Sequence, residues 1–299
     1  MSNLPDFDQL WDYNDPAKTE KAFEELLPAV ECAGNRAYHA QLLTQIARTH
    51  SLRRQFDEAH GILDVAEALV IHKDVQPEDE TPVVRIRLLL ERGRTFNSAG
   101  DTDSARPLFN EAWERARQAG EDYHAVDAAH MLGICEPVDA SLMWNNRAME
   151  AAEASGDPRA KGWLGALYNN TGWTYHDAGE YEKALELFEK GLAWRTEWDN
   201  SQTTQIARWT VARALRSLGR THEALAMQQS LLKEHEAAGT SDGYVFEEIA
   251  ECLLTLERPD EARPYFGRAY QELSQDGWLT ENEPERLARL KRLGNVQPC

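Results

Sequence analysis

The amino-acid sequence predicts an all-α, right-handed α-solenoid of about six helical hairpins. Two amphipathic helices joined by a glycine turn can be read between Gly165 and Trp198. The pattern returns five more times. Its starts, at residues 40, 86, 126, 165, 205 and 243, lie 46, 40, 39, 40 and 38 residues apart. Repetition at a near-constant interval is the signature of a stacked array, in which each hairpin buries its apolar face against its neighbours.

The chain opens on an irregular stretch to about residue 15, punctuated by Pro5, Asp6, Asp12 and Asn14, with Phe7, Leu10 and Trp11 placed to dock on the first helices. Lys18 to Val30 reads as one helix with Ala22, Phe23, Leu26 and Leu27 on one face, so residues 1–39 form an N-terminal capping segment. The first repeat, near 40–71, carries Ala40, Ala47, Phe56, Ala59, Leu63 and Ala66. The polar run His72 to Pro82 reads as a loop and accounts for the interval of 46. The second repeat, 86–120, carries Gly93, Phe96, Gly100, Ala105, Phe109 and Ala112. The third, 126–155, is degenerate: Leu132 and Gly133 fit, but Pro137 cuts its first helix short.

The fourth repeat, 165–198, is the clearest. Tyr168, Thr171, Gly172 and Tyr175 recur at three- and four-residue spacing over Leu164 to Asp177 and share one helix face. Glycine inside a helix costs about 1 kcal/mol relative to alanine, a cost tolerated where another helix must come close. Ala178-Gly179-Glu180 breaks the helix. A second helix from Tyr181 to about Trp194 follows, with Ala184, Leu187, Phe188, Gly191 and Leu192 inward and Ala184 expected opposite Gly172. The fifth repeat, 205–238, carries Ala212, Leu215, Gly219, Ala224 and Leu231, and the sixth, 243–274, carries Phe246, Ala250, Leu253, Ala262, Phe266 and Ala269. Breaks are expected at 239–243 and 273–282, then a capping helix over 283–294 with Leu287, Leu290 and Leu293 inward and a frayed end. Pro107 and Pro264 occupy the same register in their repeats and are expected in the first turn of the second helix, where proline is tolerated.

The clearest hairpin resembles the tetratricopeptide repeat, whose pattern is W-x2-L-G-x2-Y, then alanine, then phenylalanine. Tyr168, Gly172, Tyr175, Gly179, Tyr181, Ala184 and Phe188 carry the resemblance, while Gly191 stands where the family has alanine and no proline closes the unit. The interval of about 40 residues is similar to that of longer-period members and exceeds the usual 34. The resemblance implies a single repeat domain over 1–299 that binds peptides or proteins, with the first helix of each pair facing a concave groove.

With 32 basic and 51 acidic residues the formal net charge is −19, which argues against free nucleic acid or an anionic membrane as general partners. No leader-like segment and no apolar run of 18 residues is present, so a cytoplasmic protein is expected. Cys32, Cys135, Cys252 and Cys299 form no close-spaced metal motif, and neither a metal nor a cofactor is predicted. Gly239-Thr240-Ser241-Asp242-Gly243 matches G-x-S-x-G but joins two helices, where nucleophile chemistry needs a strand-to-helix elbow. Asn169-Asn170-Thr171 matches a glycosylation acceptor inside a helix and reads as accidental.

On the family's concave side, residues one past the Gly/Ala slot are Arg48, Arg94, Ile134, Trp173, Arg213 and Glu251. Those three before it are Thr44, Leu90, His130, Asn169, Trp209 and Glu247. Arg87, Glu91, Asn97, Asp127, Asn170, His176 and Asp177 flank them. Three readings stand. The groups form inter-repeat hydrogen bonds and ion pairs, or they form a groove for a peptide or small ligand with an anionic group, or His130, His176 and Asp177 belong to an enzyme. Adjacent His176 and Asp177 lie on different helix faces, which counts against the last. A carboxylate clamp for chaperone tails is not matched: only Asn170 lands on a clamp position, and Ala166, Leu90, His130 and Ile206 stand where lysines belong. A binding scaffold without catalysis is the preferred expectation. A peptide-sensing regulator acting through a partner is the alternative.

Overall fold

Five of the hairpin turns are each set by one residue in the left-handed region. Gly100, Gly179 and Gly219 have φ of 89°, 79° and 77° there, and Arg54 and Glu257 take the same place at 63° and 58°. In every case the next N–H closes back over five residues: Gln55 to His50 O, Asp101 to Phe96 O, Glu180 to Tyr175 O, Arg220 to Leu215 O and Arg258 to Leu253 O, at 2.9–3.0 Å. This closure satisfies carbonyls that the helix end leaves without partners.

The computed structural model describes residues 4–70, 81–197 and 201–296, and among them every regular element is helical. The loop expected over His72 to Pro82 lies almost wholly outside the described residues, as does the end of the frayed tail. The chain divides into two compact units, Met1–Leu167 and Tyr168–Cys299.

In the first unit a 3-10 turn, Phe7–Leu10, precedes α1 (Pro16–Glu24) and α2 (Leu27–Ala33). These two short helices replace the single one expected over Lys18 to Val30. Pro28 has no N–H to give and its ring crowds the carbonyl four residues back, so the helix stops at Glu24 and restarts. Three hairpins follow: α3 (Arg36–Leu52) with α4 (Phe56–Val70), α5 (Pro82–Ser98) with α6 (Thr102–Ala119), and α7 (Asp122–Cys135) with α8 (Val138–Ala154). Asn35 and Asp101 cap α3 and α6 by accepting from Tyr38 and Ser104 N–H. As expected from Pro137, α7 ends early, at Cys135. Its hairpin lacks the left-handed turn; Glu136 is extended and Pro137 precedes α8. The short α9 (Pro158–Lys161) completes the set. Phe23, Leu42, Leu63, Ile86, Phe109 and Leu132 are fully buried.

The second unit begins inside α10 (Leu164–Asp177), whose bounds are those read from the sequence. It continues with α11 (Tyr181–Glu197), α12 (Ser201–Ser217), α13 (Thr221–Ala238), α14 (Gly243–Thr255) and α15 (Pro259–Leu273). The space a side chain on Gly172 would need is filled by Phe188, whose ring carbon lies 2.5 Å from where a Cβ would stand, so the aromatic rather than Ala184 is what demands the glycine. Gly93 and Phe109 repeat the arrangement at 2.6 Å.

Two expectations fail here. The break expected over 273–282 contains α16 (Gly277–Asn282): Asp276 accepts from Trp278 and Leu279 N–H, and buried Leu279 holds the turn. Pro107 and Pro264 lie inside α6 and α15 rather than in their first turns. Both are sixth in their helices, in the same Asp-x-Ala-Arg-Pro sequence, where Asp103–Arg106 and Asp260–Arg263 pair at 3.1 and 2.8 Å. The closing α17 (Pro284–Leu293) buries Leu287 and Leu290 as expected.

Candidate functional site

In the first unit, α3, α5 and α7 present one shared polar face. Arg48 Nη1 donates to Glu91 at 3.2 Å, Arg94 Nη1 donates to the same carboxylate at 2.7 Å, and the other arm of Arg94 reaches Asp127. Glu91 and Asp127 side chains are 5% and 7% exposed, so each would be costly to bury without its arginine. Burial works against the Arg94 charge, but Asp127 and Glu91 outweigh it and raise its pKa. For Asp127 the same pairing outweighs burial and holds the carboxyl below its usual range. Burial pushes the His124 imidazole down to about 4, with Arg87 assisting, so it is neutral. Burial likewise lowers His130, whose ring lies 5.2 Å from that of Trp163. Asn97 accepts from the Cys135 thiol at 3.2 Å. Arg87 is buried and pairs with Asp8 from the N-terminal turn, with one Nη1–Oδ1 bond at 3.0 Å. Among these residues a cavity of about 70 Å³ remains.

The second unit builds its polar face from α10, α12, α14 and α17. A cavity of about 600 Å³ opens there between the rings of Trp173 and Trp209 and a field of arginines and carboxylates. The two indoles are 6.0 Å apart, and Trp209 Nε1 donates to Tyr244 O at 3.1 Å. Arg216 grips Glu248 with two bonds of 2.8 and 2.9 Å. Arg286 grips Glu247 at 2.9 and 2.5 Å, and Arg289 pairs with Glu251. Arg213 is held differently: its Nε is 3.2 Å from a Glu248 oxygen that Arg216 already uses, and its Nη1 donates to the Ser217 hydroxyl at 2.5 Å. Burial lowers its pKa against the pull of Glu248, while Arg216 is raised. Arg213 is therefore the least compensated of these cations.

His176 is buried, with Nε2 2.9 Å from Ser217 Oγ. Its Nδ1 lies 3.7 Å from Asp177, beyond hydrogen-bond reach, and that carboxylate is 80% exposed. Serine, histidine and aspartate thus come close without the aspartate orienting the ring. Burial lowers the imidazole pKa and Arg213 adds to this.

Of the residues expected at a groove, Arg48, Arg87, Glu91, Arg94, Asn97, Asp127 and His130 belong to the first unit. Asn169, Asn170, Trp173, His176, Trp209 and Arg213 belong to the second. Asn169 donates to its neighbour Asn170 at 3.3 Å. Thr44 is fully buried, not groove-lining, and Ile134 is exposed. Sequence reasoning missed Asp8, Arg216, Glu248, Arg286 and Arg289. Arg286 and Arg289 carried a signal, since three-residue spacing in a helix puts both on one face.

Within each unit, paired helices whose first members present a polar face define an α-helical repeat fold. The tetratricopeptide-repeat family model matches residues 164–197, the clearest of the hairpins. Solved structures with the same fold include the apo form of RapI, 14% identical with a TM-score of 0.72, covering 97% of this chain and 80% of that one. A second is the signal-transduction ATPase with a tetratricopeptide-repeat sensor from Pyrococcus horikoshii (14%, TM-score 0.69), which covers 94% of this chain; the chain spans 41% of that protein. BtubC from P. vanneervenii is 13% identical with a TM-score of 0.59, covering 80% and 94%. No curated protein matches the chain. Among the described residues no helix is long and apolar enough to cross a membrane, and no cluster of potential metal ligands occurs.

Proposed function

We propose that the protein is a binding scaffold without catalysis, and that the polar face of its second unit takes up a peptide carrying an anionic group. The observation that carries this reading is the cavity of about 600 Å³ bounded by Trp173, Trp209 and Arg213. Two indoles supply apolar contact for a side chain. Arg213, sharing a carboxylate already held by Arg216, is the guanidinium with most to gain from an incoming carboxylate or phosphate. The remaining pairs fix the wall: they leave specificity to the one exchangeable cation. The long His176–Asp177 separation favours this reading over an enzyme.

Native mass spectrometry of protein purified from its own host tests the proposal. A peptide is expected to travel with the wild-type chain and to be lost from the Trp209→Ala, Arg213→Ala double variant. Equal retention by both, or no peptide on either, overturns it.

A further inference from the structure

We propose that residues 4–13 are a built-in peptide ligand of the first unit, and that the face they cover is a docking site for a partner segment with an acidic residue flanked by aromatics. This rests on residues of the first unit, none of which the reading above uses. The segment is held by side-chain anchors, with a single 3-10 turn as its only regular structure. Asp8 meets Arg87 through both carboxylate oxygens. Phe7 enters edge-on against Tyr38 and Phe23, at 5.1 and 6.4 Å, and lies 5.3 Å beneath the Arg87 guanidinium. Trp11 Nε1 donates to Gln45 at 3.0 Å, and Tyr13 stacks on Trp11 at 4.7 Å. Arg48 caps both rings at 5.7 and 5.5 Å. Tyr38 adds a hydrogen bond to the Pro5 carbonyl at 2.7 Å.

These contacts have the composition of a peptide-recognition interface: a half-buried acidic anchor on a buried arginine, a buried phenylalanine with Trp11 and Tyr13 stacked beside it, and arginines that bind charge and stack at once. The receiving residues come from the first helices of successive repeats, Gln45 and Arg48 from α3 and Arg87 from α5. The segment also leaves the face incompletely served. Arg48 Nε, Arg87 Nε, Glu91 Oε2 and His124 Nδ1 are buried without a hydrogen-bond partner from the protein, and all four residues line the cavity of about 70 Å³ beside it. Unpaired buried polar atoms are costly. A partner segment that keeps the acidic and aromatic anchors and extends a polar group into that space therefore gains what the resident segment lacks, and can displace it. A tethered segment competes at an effective concentration on the order of millimolar, so a partner must bind well enough to exceed that.

The test uses the full chain and a fluorescein-labelled peptide of residues 4–15 as probe, read by anisotropy. An Asp8→Ala, Trp11→Ala variant loosens the resident segment while keeping Phe7 in the core. It is expected to bind the probe at least tenfold more tightly than wild type does. Adding Arg87→Ala is expected to abolish the gain. Binding equal to wild type, or binding that survives Arg87→Ala, overturns the proposal. Should the double variant lose its helical circular dichroism, the wild-type chain carries the test. Unlabelled peptide at millimolar concentration is then expected to speed hydrogen exchange of residues 4–13 about twofold, and unchanged exchange overturns the proposal.

Discussion

At the scale of single residues, His124 shows how burial converts a titratable side chain into a stability term. It is 3% exposed and faces Arg87, Arg159, Tyr123, Asp127 and Asp8. Desolvation and the Arg87 charge lower its pKa from 6.5 to about 4. The sign follows from proton counting. Between those values the unfolded chain holds a proton on His124 that the folded chain does not, so stability falls as pH drops from about 6.5 to about 4. The full window corresponds to about 3 kcal/mol. Urea unfolding of wild type and His124→Asn at pH 7 and pH 4.5 checks this: the wild type is expected to lose more stability between the two, and equal losses would remove His124 as the cause. Asp127 titrates lower, so its loss belongs to a more acidic range.

Among the elements, the hairpin turn separates what local sequence dictates from what the fold imposes. Glycine at positions 100, 179 and 219 was legible because it punctuates a periodic pattern, and the backbone there is left-handed. Glu257 and Arg54 take the same backbone state with no such signal, because the repeat's closing hydrogen bond over five residues demands it. A left-handed residue other than glycine costs about 1–2 kcal/mol. Among the described residues the Glu257 side chain makes no cap or ion pair, so Glu257→Gly is expected to raise stability by roughly 1 kcal/mol, less the added freedom of the unfolded chain. A lower denaturation midpoint for that variant would mean the turn is held by the glutamate side chain. Helix bounds such as Leu164 to Asp177 were readable for the same local reason. The split at Pro28 and the helix after Asp276 depended on one proline clash and one cap, which apolar spacing does not report.

Across the whole molecule, the arginines act mainly as staples between sequence-distant repeats. Arg48–Glu91, Arg94–Asp127, Arg216–Glu248 and Arg286–Glu247 join residues 43, 33, 32 and 39 apart, close to one repeat interval. Ion pairing between repeats was one of the readings the sequence allowed, but the partners were not legible in it, where composition gave only a net charge of −19 and periodicity gave only a shared face. Which carboxylate meets which guanidinium depends on how successive hairpins register, and Asp8–Arg87, 79 residues apart, depends on where the chain's beginning folds back. In a solenoid these staples belong to the interface between neighbours rather than to either repeat. Their value also depends on burial. Glu248 is 6% exposed and serves both Arg213 and Arg216, whereas Glu261 is 60% exposed and pairs with Arg258 within one turn of α15. Removing one member of a buried pair leaves the other charge uncompensated, at about 3–5 kcal/mol, while an exposed pair contributes little. Glu248→Gln is therefore expected to lower stability by about 3 kcal/mol and to broaden the urea transition as α12 and α14 uncouple, while Glu261→Gln leaves the midpoint in place. Equal effects of the two would mean that these ion pairs decorate the repeats without joining them.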